Sequence, residues 1–153
     1  YDADSVFHAL PTSTNQTYTK KYFDSSPVRA DSKANWKVIR YADVLLMYAE
    51  ALNENGKPQQ AIPFLNQVRT RAGLEGYPNT MSQTETRDAI VLERRLELSF
   101  EGVRWFDLVR TGKAYEVMKD KGMAPYMTVF PIPLSQVQII NDPTIFPQNP
   151  GYD

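Results

Sequence analysis

Charged side chains are densest between residues 93 and 110, and their spacing allows two kinds of chemistry. Glu97 and Glu101 are four residues apart, so on a helix their side chains are neighbours and could form the acid/base pair of a glycosidase. Arg94 and Arg104 flank them at three-residue intervals and would keep both carboxylates ionised. We therefore expect a structural ion network rather than a catalytic pair. The predicted network comprises Arg40, Asp43, Arg94, Glu97, Glu101, Arg104 and Asp107.

Metal and thiol chemistry are poorly supported by the residue types present. A di-iron site built on paired glutamates also needs histidines, and His8 is the only histidine of the chain. The chain has no cysteine, which excludes disulfides, thiol catalysis and zinc sites with cysteine ligands. The sequence therefore predicts no catalytic residue, no metal ligand and no cofactor.

Aromatic side chains are the second candidate for a functional role, because a flat ring can stack on the C–H face of a sugar. Tyr18, Tyr22 and Tyr126 are the candidate ligand-binding residues. Trp36 and the adjacent pair Trp105 and Phe106 are expected to pack into the core, which is the more common place for large aromatic side chains on helices.

Composition narrows the partners and the location. The 17 Lys and Arg residues against 18 Asp and Glu residues give a net charge of −1, so nothing in the charge predicts nucleic-acid binding. The sequence contains neither an apolar run of membrane-spanning length nor a recognisable signal peptide. We expect the chain itself to be soluble.

The elements that would position these residues are mainly helical. We divide the chain into an irregular N-terminal segment, 1–35, which belongs to the same domain, and a helical region, 36–153. Residues 36–52 have the composition of a helix that is covered on most sides, and Asn55-Gly56 supplies its stop. A second helix is predicted for residues 58–72, which makes a helical hairpin.

This hairpin resembles one tetratricopeptide repeat, a helix-turn-helix unit of about 34 residues. Five residues fall near its characteristic leucine, small, turn and apolar positions: Leu45, Ala49, Gly56, Ala61 and Leu65. A solitary repeat leaves an apolar face open, so we expect that face to be covered by other parts of this chain or by further chain.

Later elements are predicted by caps and breakers. Ser82 and Glu85 form a capping box that starts a third helix, which we expect to run to Glu101 and stop at Gly102. A shorter helix is predicted for residues 103–110 and a weaker one for 113–121. Six of the 11 prolines lie beyond Gly122, so residues 125–153 are predicted to form an irregular, proline-rich tail that wraps the helices.

Several stretches, in this order, closely resemble the C-terminal half of the SusD/RagB family, nutrient-binding lipoproteins of the Bacteroidetes outer membrane. The resemblance covers roughly residues 36–153. The stretches are VIRYADVLLMYAEALN at 38–53, AIPFLNQVRTRAG at 61–73, IVLERRLELSFEGVRWFDLVR at 90–110, PIP at 131–133, NDP at 141–143 and QNPGY at 148–152.

The resemblance implies a helical protein built on tetratricopeptide-like hairpins and without catalytic activity. It implies a lipid anchor at the cell surface, carried by an N-terminal part that lies outside this sequence. The implied partners are a SusC-like TonB-dependent transporter, on which the protein acts as a lid, and an oligosaccharide or polysaccharide that it captures for import. Some members of the family bind peptides instead.

Two other functions remain open from the residues alone. A tetratricopeptide-like adaptor would bind a protein partner and no nutrient. A glycosidase would use Glu97 and Glu101, and would lose activity in a Glu97→Gln variant.

Overall fold

The computed structural model describes residues 19–22 and 34–152, and within these ranges all regular structure is helical. This confirms the prediction of a mainly helical fold, while the tetratricopeptide-like detail stays a prediction. The chain forms two compact units, of which the first ends at Val103 and the second begins at Arg104.

The first unit contains three helices: α1 Tyr41–Glu54, α2 Pro58–Arg71 and α3 Gln83–Glu97. The second contains α4 Arg104–Arg110, α5 Ala114–Met118 and α6 Leu134–Ile140. Two short 3-10 turns, Lys119–Lys121 and Pro125–Thr128, separate α5 from α6.

Helices α1 and α2 pack as a hairpin because the chain reverses at Gly56. That glycine has a φ of 73°, in the left-handed region that closes helices at little cost for glycine. The rings of Tyr48 and Phe64 meet edge to face with 4.7 Å between their centres. The two residues lie equally far before and after Gly56, as expected for a hairpin. The hairpin predicted from the sequence is therefore present.

Helix α3 closes the apolar core of the first unit. Its Ile90 is 1% exposed and joins a cluster with Leu46 and Leu65, both at 0%. Two amides join the C-terminal end of α1 to the start of α3, because Asn53 donates to the Gln83 carbonyl and Gln83 donates back to the Asn53 carbonyl. The Ser82–Glu85 capping box forms as predicted and fixes the start of α3.

Helix α3 is shorter than predicted, since it ends at Glu97 rather than at Glu101. Residues 98–102 form turns, and Phe100 adopts a φ of 66°, outside the helical region. The main-chain carbonyls of Glu97 and Ser99 accept hydrogen bonds from Lys21, which replaces the amide donors that a longer helix would have supplied.

Helix α1 also begins later than the composition suggested. Residues 34–40 are not helical, and Arg40 is the N-cap residue, with an extended backbone at φ −120° and ψ 155°. This change matters because it places Trp36 and Arg40 in an irregular segment, from which Arg40 reaches the end of α3.

Candidate functional site

The densest polar constellation lies where three helix ends of the first unit meet. We call it the ion array, and it consists of Lys21, Arg40, Arg71, Glu97 and Glu101. Arg40 precedes α1, Arg71 ends α2 and Glu97 ends α3. Cations at the C-terminal ends of α2 and α3 are favoured there, because the last carbonyls of a helix carry partial negative charge.

Lys21 uses its ammonium group fully within the array. It donates to the Glu97 carbonyl at 2.6 Å, to the Ser99 carbonyl at 2.7 Å and to Glu101 Oε1 at 2.6 Å. Because an ammonium has three protons, these three contacts exhaust its donors. Lys21 therefore fastens residues 19–22 to the end of α3, between 76 and 80 positions further along the chain.

Arg40 holds both glutamates. Its Nε and Nη2 atoms donate to the two oxygens of Glu101 at 2.9 and 2.7 Å, the bidentate geometry that suits a guanidinium and a carboxylate. Its Nη1 atom lies 2.8 Å from Glu97 Oε1, and Nη2 also donates to the Glu97 carbonyl at 3.1 Å. Arg71 donates to the same Glu97 Oε1 atom from the end of α2.

The two carboxylates of the array are buried, with side-chain exposures of 5% for Glu97 and 8% for Glu101. Burial raises the pKa of the Glu101 carboxyl, but hydrogen bonds from Arg40 and Lys21 outweigh burial and leave that pKa below its ordinary value. The bonds to Glu101 in turn raise the pKa of Arg40. Glu101 is therefore held as an anion, which is unsuited to a general acid that must stay protonated near neutral pH.

Not all residues of the predicted network belong to this array. Arg94 pairs with Asp43 at 2.8 Å, between α3 and α1. Asp107 pairs with Arg110 at 2.9 Å within the second unit. Arg104 forms no ion pair with the residues that the structure describes.

Sequence reasoning missed Lys21, Arg69 and Arg71. Arg69 binds Glu93 at 3.0 Å, and its guanidinium also lies 4.1 Å above the Tyr77 ring. Arg69 and Arg71 occupy the last turn of α2, a position that favours cations and could have indicated them. Lys21 lies in a polar segment without periodicity, so no local signal could have found it.

An exposed aromatic pair adjoins the ion array. Tyr22 follows Lys21, and its ring stacks on Trp36 with 4.8 Å between ring centres and 7° between ring planes. Trp36 is 62% exposed, so its predicted place in the core is wrong. Because Tyr22 covers one face of the indole, the exposed area belongs to its other face and edges.

The Tyr22 hydroxyl is buried and has no hydrogen-bond partner in the described part of the chain. Burial raises the pKa of this phenol, and the negative charge of Glu101 raises it further, although Arg40 acts in the opposite direction. The phenol is therefore neutral at physiological pH. Tyr22 supports Trp36 with its ring rather than with its hydroxyl.

The other predicted ligand residues have different surroundings. Tyr126 lies in the second unit, where its ring meets that of Tyr152 edge-on with 5.0 Å between centres. Its ring also lies against Gly151, at which a Cβ atom would come within 2.5 Å of Tyr126 Cγ. Tyr126 thus contacts residues of its own unit and remains 37% exposed, and its role in ligand binding stays a prediction. Tyr18 lies outside the described residues.

The remaining aromatic predictions concern α4. Phe106 is 70% exposed, so the expectation that it points inward is wrong, while the adjacent Trp105 is half-buried. The buried side chains of this seven-residue helix are those of Asp107 and Leu108, which follow the aromatic pair.

The described residues offer neither a metal site nor a membrane-spanning helix. No group of three or more acidic or histidine side chains there is arranged to hold a metal ion. None of the helices in residues 19–22 and 34–152 combines the length and the apolar character of a membrane span.

Comparison with known proteins identifies relatives along most of the chain. The model of the SusD family matches residues 8–129. SusD-like protein P2 of Formosa agariphila is 32% identical over 155 aligned positions, which cover 90% of this chain and 31% of P2. SusD-like protein P38 of the same organism is 48% identical over 89 positions, which cover 53% of this chain and 18% of P38.

Solved structures give the same result. A SusD homologue from Bacteroides thetaiotaomicron has a TM-score of 0.70 at 32% identity, and the match covers 85% of this chain and 30% of the homologue. A laminarin-binding SusD-like protein has a TM-score of 0.61 at 40% identity, covering 84% of this chain and 26% of that protein. The chain thus spans less than a third of the length of each of these relatives.

Proposed function

The chain belongs to the SusD family, and from this premise we propose that it is part of a non-catalytic protein that binds glycans at the cell surface. The observation that carries the proposal is the stacked pair of Tyr22 and Trp36, which presents an indole that is 62% exposed. The laminarin-binding relative, 40% identical over most of this chain, supports a glycan as the ligand.

A supported indole is well suited to sugar binding. Its flat apolar face can cover the C–H groups of a pyranose ring, and Tyr22 beneath it limits its rotation, so little side-chain entropy is lost on binding. Lys21 holds Tyr22 in place through three hydrogen bonds to the end of α3. The ion array thus acts as the scaffold of the aromatic pair.

The glycosidase alternative finds little support. Such an enzyme needs one carboxyl with a raised pKa, to act as the acid, beside one that is ionised. The pKa of Glu101 is lowered instead. Glu97 is 5% exposed and is engaged by Arg40 and Arg71, which leaves it poorly placed to reach a substrate.

We extend the proposal to the setting that the family suggests. The complete protein would be anchored by lipid to the outer membrane, and would act as a lid that delivers captured oligosaccharides to a SusC-like TonB-dependent transporter. These features concern the whole protein, of which this chain would supply the C-terminal helical part.

The test is calorimetric titration of the protein with laminarin and a panel of other polysaccharides. We expect saturable binding of at least one glycan. Trp36→Ala should lower the affinity by about tenfold or more, because tryptophans that become buried under a ligand are frequent binding hot spots. Phe106→Ala removes another exposed aromatic ring, from α4, and should leave the affinity unchanged.

Two results would contradict the proposal. Binding that is equally strong in Trp36→Ala would remove the aromatic pair from the site. Failure to bind any glycan, together with saturable binding of peptides, would favour the peptide-binding members of the family or a tetratricopeptide-like adaptor.

A further inference from the structure

The ion array carries more positive than negative charge. Three cations, Lys21, Arg40 and Arg71, face two carboxylates, Glu97 and Glu101, which leaves one unit of positive charge in excess. Both carboxylates are buried, whereas the cations are 24–49% exposed. The array therefore presents its positive charge to solvent beside the aromatic pair.

The excess charge can be assigned to Arg71 by counting hydrogen bonds. Lys21 uses all three of its protons, and Arg40 uses Nε, Nη1 and Nη2 on the two glutamates. Arg71 is the most exposed cation of the array at 49%, and it reaches Glu97 through Nη2 alone. Its Nε and Nη1 atoms have no hydrogen-bond partner among residues 19–22 and 34–152.

The nearest comparable cation on α2 differs in this respect. Arg69 donates from Nη1 to Glu93 and from Nε to the Glu75 carbonyl, and its guanidinium lies over the Tyr77 ring. Arg69 is thus occupied within the protein. Arg71, two residues later, keeps donors available at the surface.

Arg71 and Trp36 lie at the two ends of one connected set of side chains. From Arg71 the contacts run through Glu97, Arg40 and Glu101 to Lys21, each at 2.9 Å or less. Tyr22 follows Lys21 and stacks on Trp36. The ion array thus connects two exposed side chains, the indole of Trp36 at 62% and the guanidinium of Arg71 at 49%.

We propose that Arg71 is a subsite for the anionic group of an acidic sugar, within the glycan surface that Trp36 begins. This inference rests on the proposed function and narrows its ligand to glycans that carry carboxylate or sulfate groups. Nη2 of Arg71 has two protons and gives one to Glu97, so the other lies beside either the Nε proton or an Nη1 proton. That edge of the guanidinium keeps two parallel donors, which match the paired oxygens of a carboxylate or sulfate and fix their orientation. The aromatic ring holds a sugar ring, and Arg71 selects for charge on a neighbouring sugar.

The experiment uses ligand pairs that differ in charge. Oligogalacturonate is compared with its methyl ester, carboxymethyl cellulose with hydroxyethyl cellulose, and dextran sulfate with dextran, by calorimetry at low and at physiological salt. We expect at least one acidic polymer to bind more tightly than its neutral partner, with an affinity that decreases as salt is added. The first two pairs test carboxylate and the third tests sulfate.

Variants of Arg71 then test whether this residue causes the preference for acidic glycans. Arg71→Gln should weaken binding of the preferred acidic glycan by about tenfold, since it removes a charge-assisted hydrogen bond. Arg71→Lys keeps the charge and a bond to Glu97 but loses the two parallel N–H donors of the guanidinium, so we expect an intermediate affinity. Arg87→Gln is the matched control: Arg87 is 42% exposed, but it is engaged by both oxygens of Glu54 and should not affect binding.

The outcomes separate this inference from the proposed function. The role of Arg71 is overturned if neutral and acidic glycans bind with equal affinity in a manner that depends on Trp36. It is also overturned if Arg71→Gln keeps the preference for acidic glycans. In both cases the glycan-binding function stands. Absence of binding to every glycan overturns both. Should Arg71→Gln fail to fold, Arg71→Lys still decides, because an affinity equal to wild type would show that the two parallel donors are not used.

Discussion

The two units of this chain are held together in different ways. Ten of the buried apolar side chains in the described part of the chain belong to the first unit, and only two, Leu108 and Ala114, belong to the second. The first unit combines an apolar three-helix core with a buried set of charges at the helix ends. The second has too little buried apolar surface to be stabilised in the same way.

The second unit relies on side chains that bind the main chain. Gln148 accepts from the Ile132 amide at 2.7 Å and donates to the Ile132 carbonyl at 2.8 Å, so its side chain pairs with that residue as a neighbouring strand would. Asn149 donates to the Phe130 carbonyl and Tyr152 to the Val129 carbonyl. These bonds satisfy main-chain groups in a segment that the prolines prevent from forming a long helix.

Two stretches of sequence stabilise their units by different kinds of contact. The charged stretch at 93–101 and the arginines of α2 hold helix ends together through charge. The QNPGY stretch at 148–152 holds the irregular segment 129–132 through neutral amide and hydroxyl groups. We therefore expect the first unit to respond to the loss of charge and the second to respond to small changes of shape.

The largest effect is expected from Arg40→Met. This change removes the bidentate partner of Glu101 and one partner of Glu97, so two buried carboxylates keep only Lys21 and Arg71. Breaking a buried ion pair from one side costs about 3–5 kcal/mol, because the remaining charge is not solvated. We expect a decrease of that size in the free energy of unfolding, measured by urea titration with helical circular dichroism.

Arg87→Met provides the control for this prediction. Arg87 forms a bidentate pair with Glu54, as Arg40 does with Glu101, but both side chains of that pair are more than 40% exposed. Exposed pairs contribute little to stability, so the unfolding curve should hardly move. Equal destabilisation by the two variants would mean that burial of the array is not what makes it stabilising.

A smaller effect is expected from Gly151→Ala in the second unit. Gly151 has a φ of 90°, and an added Cβ would lie 2.5 Å from Tyr126 Cγ. Backbone strain and the displaced ring should together cost about 1–3 kcal/mol. We expect faster hydrogen exchange at the Ile132 amide, which depends on Gln148 three residues before Gly151.

Gly122→Ala is the control that introduces backbone strain without a contact between the new Cβ atom and an aromatic ring. Gly122 has a φ of 87°, nearly the same as Gly151, but a Cβ there would have no neighbour within 4 Å. Exchange at Ile132 should therefore change less in Gly122→Ala than in Gly151→Ala. The reverse order would show that the contact between Tyr126 and Gly151 does not hold the tail.

The helices could be predicted where local chemistry determines them. Gly56 ends the hairpin turn and the Ser82–Glu85 box starts α3, as the sequence indicated, because both features depend on residues within one turn of each other. The start of α1 could not be found in this way. Residues 36–40 have a helical composition, but Arg40 takes part in contacts with Glu97 and Glu101, 57 and 61 positions away.

The site follows the same rule. The carboxylates and Arg40 could be selected by type and spacing, and the structure brings them together. Lys21 could not, since its partners are 76–80 positions away and its own segment has no period. The exposure of Trp36 could not be predicted for a related reason. A tryptophan near a helix usually packs into the core, but here Tyr22, whose position depends on distant contacts, covers only one face of the indole.

The smallest effect is expected from acidification, and it concerns Glu101. Its pKa in the folded protein lies below the ordinary value of 4.5, so the stabilisation that it provides is fully present above that pH. The stabilisation is lost as the pH falls through the folded pKa. Protonation should cost less than Arg40→Met, because a neutral carboxyl still accepts hydrogen bonds from Arg40 and Lys21 and leaves no unpaired buried anion.

The variant Glu101→Gln isolates this contribution from the other acidic residues, since glutamine resembles the protonated side chain and does not titrate. At pH 7 the wild type should be more stable than Glu101→Gln. The difference between their free energies of unfolding should narrow as the pH decreases below 4.5. A difference that stays constant down to acid-induced unfolding would mean that the charge of Glu101 does not stabilise the first unit, and that the array holds the helix ends through hydrogen bonds alone.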